Sequence, residues 1–157
     1  MKKIKISFLS IAISVDLHNT ETANIIWEAC PIKSNVNIWG DEIYFDIKIN
    51  TVKDETAKDI INKGEIAFWV EGSSIAIGFG PTPISQGNEI RLVTHANIIG
   101  ETNDDLSLLS MVNPGEIAIV EESIGEIEYS TDSRVAIMSW APDKIKIDVS
   151  TKTNQFL

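Results

Sequence analysis

Residues 37–45, Asn-Ile-Trp-Gly-Asp-Glu-Ile-Tyr-Phe, decide the fold. Apolar and aromatic residues flank Gly40-Asp41, a pattern typical of two strands joined by a two-residue turn. Residues 64–79 predict a second hairpin, with a turn at residues 71–73 between two apolar runs. The segment Gly-Pro-Thr-Pro at 80–83 then leaves the sheet, because proline cannot donate a hydrogen bond to a neighbouring strand. The chain is therefore expected to be mainly β.

Apolar residues at every second position extend this pattern in both directions. Residues 3–17 alternate in this way and predict two short antiparallel strands, whereas a signal peptide would have an uninterrupted apolar run. Residues 90–100 predict a long strand, and residues 117–122 predict another. Three more strands are predicted near the C-terminus, at residues 124–129, 134–140 and 144–149.

A first short helix is predicted between the early strands and the first hairpin. Thr20 is a suitable N-cap, and the helix should end near Cys30 because Pro31 follows. Four residues fall at helical spacing and should form its buried stripe: Ala23, Ile26, Trp27 and Cys30.

A second short helix is predicted at residues 103–112, with Asn103 or Asp104 as its N-cap. Its inward-facing residues should be Leu106, Leu109 and Met111. Residues 51–63 are interpreted as a polar loop with one or two helical turns, which Gly64 would end. The hairpin at 35–49 is expected to continue to Ile49.

Composition limits the function. The chain has 157 residues, a formal net charge of −10 and one cysteine. The negative charge argues against nucleic acid and anionic membrane surfaces as partners, because both are bound by clustered Lys and Arg. No run is long enough to span a membrane. The lone Cys30 excludes an intrachain disulfide and a Cys-rich metal site, and it is consistent with a cytoplasmic protein.

Four motifs follow one another in an order that resembles a small prokaryotic family of cyclophilin-like domains of unknown function. They are residues 37–45, Gly-Glu-Ile-Ala-Phe-Trp (64–69), Ile-Gly-Phe-Gly-Pro-Thr-Pro-Ile-Ser (77–85) and Ala-Asn-Ile-Ile-Gly (96–100). The resemblance covers about residues 3–122. It implies a closed, cyclophilin-like antiparallel β-barrel with two short helices over its ends. Closure also removes the sheet edges that eight or more strands would otherwise expose.

The predicted organisation is a barrel at residues 1–122 and a C-terminal β extension at residues 123–157, packed on the same domain. True cyclophilins isomerise X-Pro bonds and carry a Phe-x-Arg motif and a Gln-Phe-Phe strand. Here Phe45 is followed by Asp46-Ile47-Lys48, and neither Arg91 nor Arg134 lies in such a motif. Lys48 could supply a charge, but an ammonium lacks the planar donor fork of arginine.

Aromatic residues crowd the strands of the two hairpins, and alternation requires some of them to face away from the core. Core packing is the simpler explanation for each one. Large amphipathic side chains also line ligand sites, so we predict a groove lined by Trp39, Tyr44, Trp69 and Thr82.

Other reactive residues are more simply explained by structure. His95 has apolar neighbours and is interpreted as a buried, hydrogen-bonded histidine, and His18 as an exposed one. Asp41 and Glu42 are interpreted as turn and solvent residues, since neighbours in a strand point to opposite faces. No spacing of His, Cys, Asp or Glu predicts a metal site, and no cofactor is predicted.

Three functional hypotheses follow. The first is a module that binds a small molecule or an extended peptide without efficient isomerase activity. The second is a weak peptidyl-prolyl isomerase that works by shape and backbone donors alone, against which the missing arginine argues. The third is a structural subunit that pairs with another chain, or with a copy of itself as an oligomer, through its strand edges.

Overall fold

The computed structural model describes residues 2–123, and all structural statements refer to this range. The strands predicted at 124–129, 134–140 and 144–149, and the division at residue 122, lie at or beyond its end and stay predictions. Ten strands, one α-helix and one 3₁₀ helix are described in the order β1 Lys3–Ser7, β2 Ala12–Leu17, α1 Glu21–Ala29, β3 Ile32–Asn35, β4 Asn37–Ile38, β5 Glu42–Asp46, β6 Lys58–Ile61, β7 Glu65–Trp69, β8 Ser74–Gly78, β9 Ile90–Glu101, 3₁₀ helix Ser107–Met111 and β10 Ile117–Glu122.

The strands form a nearly closed antiparallel barrel, in agreement with the predicted fold class. Their order is β3-β10-β1-β2-β9-β7-β8-β5-β4, so the two ends of this order are strands that follow each other in the chain. At Val36 the segment changes partner: β3 pairs with β10, and β4 pairs with β5. A hydrogen bond from Ser34 Oγ to Asp46 Oδ1, of 3.2 Å, links β3 to β5. This change of partner closes the sheet.

Alternation determines the barrel core. Ile43 and Phe45 of β5 pair with Ile77 and Ile75 of β8, and all four side chains are fully buried. The predicted strands in 3–17 are confirmed as β1 and β2, which contribute Ile4, Ile6, Ile13 and Val15 to the same core. Burial of such branched side chains is the main stabilising term of the fold.

Helix α1 agrees with its prediction at both ends. The Thr20 hydroxyl accepts a hydrogen bond of 3.2 Å from the backbone N–H of Ala23, and Cys30 has extended backbone angles before Pro31. Ala23, Ile26 and Trp27 are buried as predicted, whereas Cys30 is only half-buried. Nine residues are too few to cross a bilayer, and no other helix within residues 2–123 is long and apolar enough to do so.

We expect Thr20→Ala to lower the free energy of unfolding by about 1 kcal/mol, because the N–H of Ala23 loses its acceptor. Urea unfolding followed by tryptophan fluorescence measures this change. Thr20→Ser is the matched control, since serine keeps the capping hydroxyl and should remain close to wild type. Equal losses in both variants would contradict the capping role.

Three expectations for the loops and helices are wrong. Residues 51–63 form no helix but only a hydrogen-bonded turn at residues 54–57, and β6 occupies most of their second half. Strand β5 ends at Asp46, short of Ile49. The second helix is a 3₁₀ turn without a side-chain cap: Asp104 instead accepts from Ser14 N at 2.8 Å. Leu106 and Leu109 are buried as expected, but Met111 is 64% exposed. A five-residue 3₁₀ turn is too short to bury a further side chain at its end.

A buried amide holds the 50–56 loop on the sheet. Asn97 of β9 is fully buried, and its Nδ2 donates to Thr22 Oγ1 at 3.1 Å and to the carbonyl of Val52 at 2.9 Å. Its Oδ1 accepts from the N–H of Asp54 at 2.9 Å. This loop leads directly into β6, so the amide also helps to place that strand.

Candidate functional site

One surface of the sheet lies opposite the barrel core, and we call it the outer face. Residues directly opposite each other in antiparallel strands share a face. Tyr44 of β5 is opposite Ala76 of β8, which is opposite Ala67 of β7. These side chains alternate with core residues along each strand and therefore belong to the outer face.

The outer face carries a second apolar cluster, because β6 and the first half of β9 pack over it. Strand β6 pairs with the first part of β9, and the last part of β9 pairs with β7. Tyr44 and Trp69 are half-buried and pack against this cluster. Its seven buried members are Ile61, Ala67, Ala76, Ile90, Leu92, Ala96 and Ile98.

Tyr44 and Trp69 form an edge-to-face pair on this surface. Their ring centroids are 6.0 Å apart at an interplanar angle of 83°, a favourable aromatic geometry. Nε1 of Trp69 is buried and has no hydrogen-bond partner among the described residues. A buried N–H without an acceptor is costly, so a bound acceptor would stabilise this position.

Glu42 is a buried acid on the same face. It is opposite Gly78, two positions before Tyr44, and it is only 6% exposed. Its Oε1 is buried without a hydrogen-bond partner in the described part of the chain. Burial disfavours the charged form and raises the pKa of Glu42 to about 7.

Trp39 lies directly opposite Glu42 in the first hairpin. The N–H of Trp39 donates to the Glu42 carbonyl at 2.9 Å, and the N–H of Glu42 donates back at 3.1 Å. This exchange confirms the predicted two-residue turn at Gly40-Asp41 and places the two side chains on the same face. Trp39 is half-buried.

A cleft of about 590 Å³ adjoins the outer face where β6 ends and β9 begins; we call it the β6 cleft. Ile61 and Ile90 belong both to its lining and to the apolar cluster. The gap above Gly78 is filled by these two side chains: a Cβ built there would lie 2.5 Å from Ile90 Cγ2. The cleft is lined by Asp41, Ile60, Ile61, Asn62, Lys63, Phe79, Gly80, Pro81, Asn88, Glu89 and Ile90.

The charge next to this cleft is largely paired within the chain. Arg91 Nε donates to Glu89 Oε2 at 2.7 Å, and Arg91 Nη1 lies 3.4 Å from Asp59 Oδ2. The hydrogen bond from Arg91 is the main cause that lowers the pKa of Glu89. Arg91 is thus held by carboxylates of its own chain.

The four residues predicted to line a groove do not form one group. Tyr44 and Trp69 are in contact, and Trp39 lies on the same face, opposite Glu42. Thr82 is buried elsewhere: its hydroxyl donates to the Arg91 carbonyl and its N–H donates to Ser85 Oγ at 2.9 Å. These bonds hold the 80–91 loop in place. The ligand-binding role of the four residues stays a prediction.

The interpretations of His95 and Glu42 are wrong. His95 is exposed, because the side chains of β9 that pack into the apolar cluster, such as Ala96, lie on the other face of the strand. His18 is half-buried, with Nε2 4.0 Å from Glu101 Oε2. Asp41 is an exposed turn residue as expected, but its neighbour Glu42 is buried and not a solvent residue. Within residues 2–123 no three His, Cys, Asp or Glu side chains come together as a metal site.

Comparison with protein families identifies this architecture. A family model described as cyclophilin-like matches residues 2–121. The chain belongs to the cyclophilin-like family. No curated protein matches the cyclophilin-like chain.

A solved structure supports the same assignment for the cyclophilin-like domain. The solution structure of the hypothetical protein AF2241 from Archaeoglobus fulgidus is similar, with 38% sequence identity and a TM-score of 0.69. The match covers 78% of this chain and 95% of that one. Since this relative is itself a hypothetical protein, function must be argued from the site.

Glu42 and the β6 cleft are the features of the cyclophilin-like domain that sequence reasoning missed. Because Ile43 and Phe45 point inward, Glu42 had to share the opposite face with Tyr44, and this was visible in the sequence. Its burial was not visible, since it requires β6 to cover that face. The segment that forms β6 was interpreted as a loop.

Proposed function

We propose that this cyclophilin-like domain is a binding module for a small organic molecule, held in the β6 cleft and against the adjoining outer face. The observation that carries the proposal is the cleft itself. Its volume of about 590 Å³ lies within the range of ligand sites, roughly 300–1,000 Å³. The apolar floor of Ile61 and Ile90, with polar groups around it, is the usual composition of such sites.

The neighbouring outer face supports the same proposal. Half-exposed aromatic rings offer a large contact area at low cost in side-chain entropy, and Tyr44 and Trp69 already hold each other in place. Buried polar atoms without partners in the described chain, Glu42 Oε1 and Trp69 Nε1, would be satisfied by groups of a ligand.

No observation within residues 2–123 favours the isomerase alternative. A side chain that replaced the arginine of true cyclophilins as donor to the prolyl nitrogen would have to be a cation near the outer face, and neither Arg91 nor Lys48 can take this role. Arg91 is bound to Glu89 and Asp59. Lys48 is exposed, two residues beyond the end of β5. A prolyl peptide is still a useful probe because its cis–trans exchange can be observed directly.

Titration of the ¹⁵N-labelled full chain with cyclohexanol, and separately with acetyl-Ala-Pro-amide, tests the proposal. We expect cyclohexanol to shift the backbone amides of Ile61, Lys63 and Ile90, because these residues line the cleft. We expect the peptide to show no enhanced cis–trans exchange. Enhanced exchange would make the domain an isomerase and would overturn the proposal.

Two tryptophan substitutions in the 80–91 loop provide a matched pair. Asn88 is exposed and lines the cleft, whereas Gln86 is exposed and does not. Asn88→Trp should fill the opening and weaken cyclohexanol binding at least five-fold, while Gln86→Trp should leave it unchanged. Equal binding by both variants, or an absence of localised shifts in wild type, would contradict a site in this cleft.

A further inference from the structure

Glu42 has surroundings that distinguish it from the other acids of the described chain. It is flanked on its own face by two aromatic side chains: Trp39 directly opposite in the hairpin and Tyr44 two positions along the strand. Trp69 makes an edge-to-face contact with Tyr44. The next position across the sheet is Gly78, which places no side chain between Glu42 and the apolar cluster.

We infer that Glu42, Trp39 and Tyr44 form a recognition site for an organic cation, an ammonium group carried by the ligand of this domain. This inference rests on the proposed function and names the chemical class of its ligand. A carboxylate beside aromatic faces is the arrangement that attracts ammonium groups, since the negative ring faces add to the charge of the acid. Such contacts strengthen when water is excluded, as it is around Glu42.

The unpartnered oxygen is the second, independent observation. A buried carboxyl normally accepts several hydrogen bonds from its own chain, and Oε1 of Glu42 accepts none from residues 2–123. Glu65 of β7 lies two strands away from Glu42, in line with it across the sheet. Its carboxyl shows the usual arrangement, with partners from its own chain. It binds Lys58 Nζ at 2.9 Å and the N–H of Asn62 at 2.7 Å. Glu42 has no such cation among the described residues, so a cation from outside can take that place.

The surrounding charges permit this assignment. The cation of β6, Lys58, is held by Glu65, and Arg91 of β9 is held by Glu89 and Asp59. Lys63 lines the cleft together with the two acids Asp41 and Glu89. Asp46 follows on the face of β5 that carries Glu42, and the formal charge of the whole chain is −10.

Proton linkage gives the inference a second readout. Because burial raises the pKa of Glu42 to about 7, only about 1% of this carboxyl is ionised at pH 5 and most of it at pH 8.5. A cation that needs the carboxylate must then bind at least ten-fold more tightly at pH 8.5. Its binding must also lower the pKa of Glu42, since it stabilises the charged form.

Tetramethylammonium and tert-butanol are the probes, because they have nearly the same shape and neither titrates in this range. We expect tetramethylammonium to shift the indole N–H resonances of Trp39 and Trp69 and the carboxyl ¹³C resonance of Glu42. Its affinity should rise at least ten-fold from pH 5 to pH 8.5. At pH 8.5 tert-butanol should bind more weakly than tetramethylammonium. The affinity of tert-butanol should be the same at pH 5 and at pH 8.5. The indole of Trp27, buried in α1, is the internal reference.

Glu42→Gln removes the charge at constant shape and should reduce tetramethylammonium binding at pH 8.5 at least ten-fold. Asp46→Asn is the matched control, because Asp46 is on the same strand and face but exposed, and it should bind like wild type. Non-specific attraction of the cation to the acidic surface would instead reduce tetramethylammonium binding equally in both variants. That result would overturn the inference. The inference would also be overturned if the pKa of Glu42 is measured and tetramethylammonium leaves it unchanged.

The two proposals fail separately. If cyclohexanol binds in the β6 cleft and tetramethylammonium does not bind at Glu42, the domain is a binding module for a different chemical class. If tetramethylammonium binds with the expected pH dependence and cyclohexanol does not bind, the cation site at Glu42 is supported. The β6 cleft is then not part of the binding site. If neither binds, both proposals are wrong.

Discussion

Gly40→Ala is expected to lower the free energy of unfolding by about 3 kcal/mol, one of the two largest effects that we expect from a single substitution. Gly40 has a φ of +62° in the turn of the first hairpin. A Cβ at this position would lie 2.7 Å from Pro83 Cδ and 2.9 Å from Thr82 Cα. Neither atom is the end of a flexible side chain that could move aside, so the hairpin and the 80–91 loop would have to separate.

Gly87→Ala separates the two causes of this loss. Gly87 has a similar φ of +67°, but a Cβ there would meet no atom within 4 Å. Its substitution should cost about 1 kcal/mol, the penalty for a left-handed backbone alone. Urea unfolding followed by tryptophan fluorescence measures both variants, with an unchanged m-value as the check on two-state behaviour. Equal losses would show that contact between the turn and the loop does not stabilise the barrel.

Glu42→Gln is expected to stabilise the protein by about 3 kcal/mol at pH 8.5 and by nearly nothing at pH 4. The pKa of Glu42 rises from 4.5 to about 7 because burial disfavours its charged form. The native state therefore binds the proton more tightly than the unfolded state. The resulting stabilisation is fully present below about pH 4.5 and is lost as the pH rises through about 7. Glutamine stays neutral throughout.

The difference between the two unfolding free energies, measured in urea at intervals from pH 4 to pH 8.5, isolates this one carboxyl. All other acids titrate equally in both proteins and cancel. Asp46→Asn should stay within about 0.5 kcal/mol of wild type at every pH, as exposed substitutions usually do. A Glu42→Gln variant that is less stable than wild type at pH 8.5 would mean that the native protein holds Glu42 as a satisfied ion.

The same carboxyl links stability to the proposed ligand. An ionised Glu42 destabilises the empty domain above neutral pH, and a bound cation would offset that penalty. Saturating tetramethylammonium should therefore reduce the advantage of Glu42→Gln at pH 8.5. If the proposed site is correct, the fold retains a cost in stability at Glu42 for the sake of binding, as is common for buried acids at binding sites.

Sequence reasoning predicted most of the barrel because its signals are local. Period-two alternation set the inward residues of β1, β2 and β5, an apolar run predicted β8, and Thr20 and Pro31 marked the ends of α1. The hairpin turn followed from Gly40-Asp41. The ordered motifs from residue 37 to residue 100 also led to the family that the comparisons confirm.

The missed elements depend on partners distant in the chain. Strand β6, Lys58–Ile61, has only four residues and no clear alternation, and it forms because β9 offers a free edge. Residues 103–112 have helical periodicity, yet contacts such as Asp104 with Ser14 leave room for one 3₁₀ turn. His95 has apolar sequence neighbours but lies on the uncovered face of its strand.

The sequence by itself determined that Glu42, Tyr44 and Trp39 share one face of a hairpin, since alternation and a two-residue turn leave no other arrangement. Only the tertiary structure decided what that face meets. Strand β6 and the first part of β9 cover it, and this cover buries Glu42, raises its pKa and creates the cleft beside it. Burial and electrostatics depend on every group within a few ångströms, and here those groups come from segments distant in the chain.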